Sequence, residues 1–372
     1  MPIYKMEGRR DGKQKYRVRI NYMDDYGKPK QIERVVYGTA EAKLLEAKLR
    51  NEIREQPLTC SMTVKQLYDE YESVKKHEVR VTTLDKTLHI LQRHVLPVLG
   101  ETKIDKLSKN VLQKWKSNIA EQNLSIITKQ NIFGEFRALL NYAVKMEYIP
   151  KNPLALIGNF RDAYFEVKRD KIHYYTPEQF KKYIATAKEH CANPSDWGFY
   201  VFFNIAYYTG MRKGEINALK WSDIDGDIIH VRRSVAQKMK GGDIETPPKN
   251  KSSYRDLQAP EPLLKILAEH KKRQMTIDGF TDDFRVCGGV RCLRDTSIDK
   301  HNRLYSEAAG LPHIRIHDFR HSHASLLANN GINIQEIARR LGHSKIEITW
   351  NTYSHLYPRE NEKAMEILNR IV

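Results

Sequence analysis

The 372-residue sequence predicts a multidomain protein, mainly α with small β-sheets, and three patterns predict it. Near the N-terminus, residues alternate apolar and polar in the manner of paired strands before one helix. The next segment repeats apolar residues at helical spacing. The C-terminal half mixes long helical stripes with a short strand pair, a mixed α/β pattern. The length exceeds one ordinary domain, and the changes of pattern divide it into segments 1-56, 62-155 and 174-372.

In the first segment, Lys15-Tyr16-Arg17-Val18-Arg19-Ile20-Asn21-Tyr22 alternates with period two, Asp24-Asp25-Tyr26-Gly27 supplies a turn, and Gln31 to Tyr37 returns as a second strand. A helix from Thr39 to about Glu55 backs this small sheet. Lys15, Arg17 and Arg19 project together from one strand face, with Tyr16 and Tyr22 nearby. Such a face suits a DNA groove; as a plain structural feature it is a sheet edge guarded by charge.

Beyond Gln56-Pro57-Leu58-Thr59, three apolar sets recur at helical spacing: Val64, Leu67, Tyr68 and Tyr71; Leu84, Leu88 and Leu91; and Ile132, Phe136, Leu139, Leu140 and Ala143. These stripes predict core. Lys86, Arg93, Lys114, Lys116, Lys129 and Arg137 occupy other faces of the same helices. Asn152-Pro153 and the charged stretch from Arg161 to Lys171 read as a linker, and Thr176-Pro177-Glu178 as the N-terminus of the next helix.

In the third segment the apolar run Phe199 to Tyr207 predicts a buried helix ended by Gly210. Arg212 then stands at the start of the following helix, where a phosphate is favoured, with Glu215 one turn on to brace it. Asp227 to Val231 and Tyr254 to Leu257 read as the strands of a hairpin joined by a polar loop holding Thr246-Pro247-Pro248-Lys249-Asn250-Lys251. A lysine on such a loop can protonate a leaving oxygen, and Lys249 and Lys251 compete for that role. His317-Asp318-Phe319-Arg320 sets a histidine and an arginine one helical turn apart, suited to clamping a phosphate. Leu341-Gly342-His343-Ser344 reads as a helix end capped by Gly342, with His343 turned inward and Ser344 free to cap the next helix.

A phosphodiester under attack gathers negative charge on its non-bridging oxygens, so a site that breaks one needs fixed cationic donors aimed at them. Arg212, Arg320, His317 and His343 are of that kind. Tyr353, flanked by Thr352 and Ser354, completes the set as a nucleophile, although one tyrosine among 20 is ordinarily a packing residue. The order of the boxes, more than any single one, carries the reading.

In that order, Arg212, Lys249, His317, Arg320, His343 and Tyr353, with the strings Thr-Gly-Met-Arg-Lys-Gly-Glu, His-Asp-Phe-Arg-His-Ser-His-Ala and Leu-Gly-His-Ser…Thr-Tyr-Ser-His, the chain resembles the tyrosine recombinase, or phage integrase, family. It is especially similar to integrases of temperate phages and conjugative transposons. The resemblance implies an arm-type DNA-binding domain over 1-56, carrying Lys15, Arg17 and Arg19, a helical core-binding domain over 62-155 and a catalytic domain over 174-372. It implies Tyr353 as nucleophile, His317 as a group that also helps move the tyrosine proton, Lys249 in a hairpin turn as acid, and a 3′-phosphotyrosyl intermediate that conserves bond energy. No cofactor and no metal is called for. The implied partners are double-stranded DNA attachment sites and further copies of the chain, as a homotetramer on two duplexes, with room for a small directionality factor and a host DNA-bending protein. A type IB topoisomerase shares the tyrosine chemistry without the arm-like domain, and a non-catalytic DNA-binding regulator would not need six residues of this kind in this order.

Composition agrees with a polyanionic partner: the formal net charge is +17 and the sequence pI is near 9.5. A mean hydropathy of −0.64 and the absence of a long apolar run predict no membrane span, and the start Met1-Pro2-Ile3 is no signal peptide, so a cytoplasmic protein of a bacterial host is expected. Cys60, Cys191, Cys287 and Cys292 are too scattered for a disulfide framework. Cys287 and Cys292 with His301 have the residue types of a metal site, but small packing thiols are the expected reading. The tail Asn361 to Val372, with Ala364, Ile367, Leu368 and Ile371 on one face, is a candidate helix for docking on a neighbouring copy or on its own domain.

Overall fold

The computed structural model describes residues 3–23, 29–54, 61–161, 173–193, 195–239, 242–248 and 251–357, together with 365, 368 and 369. It divides into two compact units, 1–166 and 167–372. The first holds two separate hydrophobic cores. Strands β1 (Ile3–Arg10), β2 (Lys13–Met23) and β3 (Pro29–Tyr37) form an antiparallel sheet in that order, with α1 (Thr39–Arg54) after it. Val18 and Ile20 point to one face and bury against Ala42 and Leu49 of α1. The sequence pattern does not predict β1: Ile3 to Arg10 is mostly charged or exposed, so it lacks the apolar alternation that marks β2 and is held by backbone pairing to it. The expected turn 24–27 and the linker 56–59 lie outside the described residues.

The second core is helical: α2 (Val64–Lys75), α3 (Val81–His94), the short α4 (Leu96–Leu99), α5 (Lys109–Glu121) and α6 (Ile126–Lys145). Every residue of the three predicted stripes is buried there, joined by Trp115. α2 starts at a capping box between Thr63 and Gln66. Two of the basic residues on the other helix faces have structural partners. Lys116 donates to the carbonyls of Ile157, Gly158 and Asn159, and Lys129 to that of Ala120.

The first helix of the second unit, α7 (Pro177–Glu189), starts at Thr176-Pro177 as the sequence implied, with a capping box between Thr176 and Gln179. α8 (Asp196–Thr209) is buried along almost its whole length and forms the spine of the unit's core. After α9 (Lys213–Ala218) come β4 (Ile224–Asp225) and β5 (Ile228–Val231), then β6 (Ser234–Met239), β7 (Gly242–Thr246) and β8 (Arg255–Gln258). β5 does pair antiparallel with β8, as the sequence suggested. The segment between them is not a plain polar loop, however: β6 and β7 form a hairpin of their own, a pattern that charged and polar residues conceal. α10 (Glu261–Gln274), α11 (Asp295–Ala308), α12 (Ile316–Asn329), α13 (Ile334–Leu341) and α14 (Ile346–Tyr353) complete the unit.

Candidate active site

Two left-handed glycines shape the site. α8 ends at Gly210, with φ of 65°, and a Cβ there would lie 2.8 Å from the His323 ring and 2.9 Å from Leu341. α13 ends at Gly342, with φ of 66°, where a Cβ would lie 3.0 Å from both Arg255 Nη1 and Ser252 O. The chain thus brings two helix C-termini close to the same buried side chains. Their carbonyls lack intrahelical partners and carry the negative end of the helix dipole, so they favour cations.

Arg320, 3% exposed on α12, takes both: its Nη1 donates to Gly210 O at 2.8 Å and its Nη2 to Leu341 O at 2.6 Å. Arg212, at the N-cap of α9, donates its Nη2 to the next carbonyl, Gly342 O, at 3.4 Å. Its backbone N–H and Nη1 each donate to Glu215 at 2.9 Å, the brace the sequence suggested. The Arg212 side chain stays 38% exposed, so part of its guanidinium faces solvent. Burial, and then the Arg212 charge, hold Arg320 below the ordinary arginine range, yet a guanidinium so bonded remains a cation.

Behind the two arginines lies one that sequence reading missed. Arg255, nearly buried on β8, donates its Nη2 to Glu215 Oε2 at 2.8 Å and its Nε to Arg340 O at 2.7 Å. Glu215 is buried and its carboxyl is held below the usual range by Arg255 and then Arg212, against the opposing effect of its own burial, which is the largest single influence. One acid therefore serves two arginines, and a net positive charge is left for an anion. An arginine at an inward position of a strand that otherwise alternates Arg255 in, Asp256 out, Leu257 in was the available signal.

The histidines divide the remaining work. His343 follows Gly342, is half-buried, and its Nδ1 lies 2.8 Å from the hydroxyl of buried Thr349. With the Thr349 hydroxyl donating to Nδ1, Nε2 carries the proton and is a donor for an incoming oxygen. Desolvation, then Arg320, Arg212 and Arg255, bring its pKa down to about 3. His317, near the start of α12, keeps an exposed edge, and partial desolvation of its ring, followed by His321 and Arg320, lowers it to about 4. Ser344 does not cap α14; Lys345 stands at that N-cap without a side-chain bond, because the turn after Gly342 runs one residue further.

Tyr353, the last residue of α14, is 1% exposed and packs with Ala324, Ala328, Ile337 and Leu341. Its hydroxyl lies 2.6 Å from Nδ1 of His321. Burial raises its pKa, and the Arg320 charge opposes that rise. Tyr357, four residues further on, donates its hydroxyl to Ile332 O at 2.5 Å.

The fold therefore gathers Arg212, Arg320, His343 and Tyr353 around one turn, Leu341 to His343, with His317 at the rim. Lys249 lies outside the described residues, so the choice between it and Lys251 passes to experiment. Among the described residues no group of three or more His, Cys, Asp or Glu could hold a metal, and no helix is long and apolar enough to cross a membrane. Cys287 is buried, as a packing thiol should be, whereas Cys292 is half-exposed and donates to Asp243 Oδ2 at 3.1 Å. His301 stacks on Phe199 at 3.7 Å.

Residues 173–360 match the phage integrase family, and residues 63–119 match the N-terminal SAM-like domain of phage integrases. The chain belongs to the phage integrase family. It is a tyrosine recombinase, an enzyme type that cuts and rejoins DNA strands. The ICEBs1 integrase of Bacillus subtilis is 28% identical over 349 residues, covering 89% of this chain and 90% of that one. Among solved structures, the Tn1549 transposon integrase in complex with a circular intermediate DNA superposes with a TM-score of 0.63 at 22% identity, over 83% of this chain and all of that one. A lambda integrase tetramer bound to a Holliday junction gives 0.55 at 18% identity, over 92% and 96% of the two chains. The fold is shared across that sequence distance.

Proposed function

We propose that this integrase acts on double-stranded attachment sites through Tyr353, which attacks the scissile phosphate while Arg212, Arg320, His317 and His343 hold its non-bridging oxygens. The observation that carries the assignment is that both guanidiniums donate to consecutive carbonyls of the turn that precedes His343, with buried Tyr353 in the same small hydrophobic cluster as Leu341. Donors fixed in this way need no reorganisation as charge builds in the transition state. A lysine of the loop after β7, Lys249 or Lys251, protonates the departing 5′ oxygen. The 3′-phosphotyrosyl product retains the bond energy, so a 5′ hydroxyl of a partner strand can reverse the step without ATP.

Exchange of two strand pairs requires four active sites on two duplexes, and a homotetramer with closed symmetry meets that need. The tetrameric lambda integrase on a Holliday junction supports this reading. Residues 1-56 serve accessory arm DNA through Lys15, Arg17 and Arg19, residues 62-155 the core site, and residues 174-372 the chemistry. A directionality factor and a host DNA-bending protein set the outcome, in the cytoplasm of a bacterial host. The test is covalent capture on a nicked suicide duplex carrying the element's end, located by footprinting the protein on DNA beside its gene. Tyr353→Phe should bind that duplex normally and form no adduct on a denaturing gel. An adduct from Y353F sinks the assignment.

A further inference from the structure

α12 carries a histidine that sequence reading passed over. His321 stands next to Arg320 and one helical turn beyond His317, so it shares the face that His317 presents. Its Nδ1 is 2.6 Å from the Tyr353 hydroxyl oxygen, with the two rings 5.7 Å apart. His317 instead meets the His321 ring edge-on, at 5.1 Å and 89°. Tyr353 is 1% exposed, and the nearest proton acceptor to its hydroxyl is the His321 imidazole and not bulk water.

We propose that His321 positions the Tyr353 hydroxyl and takes its proton as the oxygen attacks phosphorus, which leaves His317 to hold the phosphate. The inference rests on Tyr353 being the nucleophile. In the step, the tyrosine O–H bond breaks, its proton passes to Nδ1, the O–P bond forms and the P–O5′ bond breaks, with the leaving oxygen protonated by the loop lysine. Religation runs the same transfers backwards, the imidazolium returning its proton to the phenolate. The reaction needs the neutral tautomer with hydrogen on Nε2.

The surroundings favour that form. On α12 and its cap, His321 faces His317, Asp318, Arg320 and Arg315, and from α14 it faces Tyr353. His355, on the turn packed against α12, is exposed. Desolvation foremost, with Arg315 and Arg320 assisting and Asp318 opposing, keeps the ring below its ordinary pKa and therefore ready to accept.

The experiment follows single-turnover adduct formation on the nicked suicide duplex across pH, with H321N, H317N and Y353F beside the native protein. Asparagine keeps an acceptor near the position of Nδ1 but takes no proton. The native rate should rise with pH through one titration and level off. H321N should be slower by about 10²–10⁴-fold, the usual worth of a general base, with the acid limb gone and duplex binding unchanged. H317N should slow cleavage and keep the limb. An H321N protein that cleaves at the native rate or faster, or that retains the limb, overturns the proposal, and so does loss of the limb in H317N alone. Should H321N fail to melt cooperatively, H321Q is judged by the same two readouts. Adduct formation by Y353F would instead remove the nucleophile assignment, a result distinct from any outcome at His321.

Discussion

Arg212 and Arg320 donate to consecutive backbone carbonyls, Gly342 O and Leu341 O, although they are 108 residues apart in the sequence and enter from different helices. Two cations are held close together by the end of α13, and a third group, the Arg255 guanidinium, fixes that end from behind through Arg340 O. Backbone oxygens hold Arg320 without quenching it as a carboxylate would, and Arg212 shares the Glu215 carboxylate with Arg255, so positive charge is left for a phosphate.

Removal of either guanidinium should therefore be costly in the transition state and mild in binding. Arg320→Lys and Arg212→Lys cannot reproduce the forked geometry and should each slow single-turnover cleavage by about 10²–10³-fold, with gel-shift affinity near native. Equal losses in binding and cleavage would show that they serve affinity alone.

The Glu215–Arg255 pair is a different case, because both side chains are almost wholly buried. Arg255→Met should destabilise the catalytic unit by about 3 kcal/mol, since it takes from Glu215 its buried partner, leaving only the half-exposed Arg212, and leaves Arg340 O without its donor. Glu215→Gln in the same background should restore part of that loss in urea unfolding. Additive effects would indicate that the two residues are not coupled.

Acid should loosen the same unit. His323 is buried, its Nδ1 donates to Tyr207 O at 2.9 Å, and burial followed by Arg340 lowers its pKa to about 3. A depressed folded pKa means the unfolded chain binds more protons, so stability is complete above the unfolded value of about 6.5 and is lost as pH falls towards 3. The loss should approach about 1.4 kcal/mol per pH unit for this group. His343 and His317 act in the same sense. Urea unfolding between pH 7.5 and 4.5 should show this slope, and His323→Asn should reduce it by about one proton; an unchanged slope would place the acid sensitivity elsewhere.

The leaving-group acid can be found without structural data. Lys249→Ala should cleave poorly on a normal duplex and recover on one with a 5′-bridging sulfur, because a thiolate leaves without a proton. Recovery of Lys251→Ala, and not of Lys249→Ala, would assign the role to Lys251.

The N-terminal sheet makes its own prediction. Lys15, Arg17 and Arg19 share the β2 face turned away from Val18 and Ile20, but Arg17 pairs with Glu33 at 2.9 Å and Arg19 donates to Gln31 at 2.5 Å. Replacing any one of the three with alanine should reduce the salt slope of arm-site binding by about one unit for every phosphate that side chain neutralises. A chain begun at Thr59 should cleave core sites yet fail to recombine complete attachment sites. Undiminished recombination by that shortened chain would leave the basic face as a solvated sheet.

The sequence by itself determined the elements whose signals are local. The apolar stripes of α2, α3 and α6, the stop at Gly210, the cap at Gly342 and the Thr176 capping box each depend on residues within a few positions, and each stands where the sequence put it. The ordered boxes also picked out the side chains proposed as catalytic, because their order along the chain, more than any single residue, carries that reading. Only the tertiary structure decided what those side chains touch. Arg255 reaches Glu215 across 40 residues and His321 reaches Tyr353 across 32; the inward register of Arg255 hints at burial, but neither local string names the partner. The β6–β7 hairpin and β1 were hidden for a related reason: their pairing is made by backbone groups, which every residue carries, and not by an apolar pattern that a sequence can display.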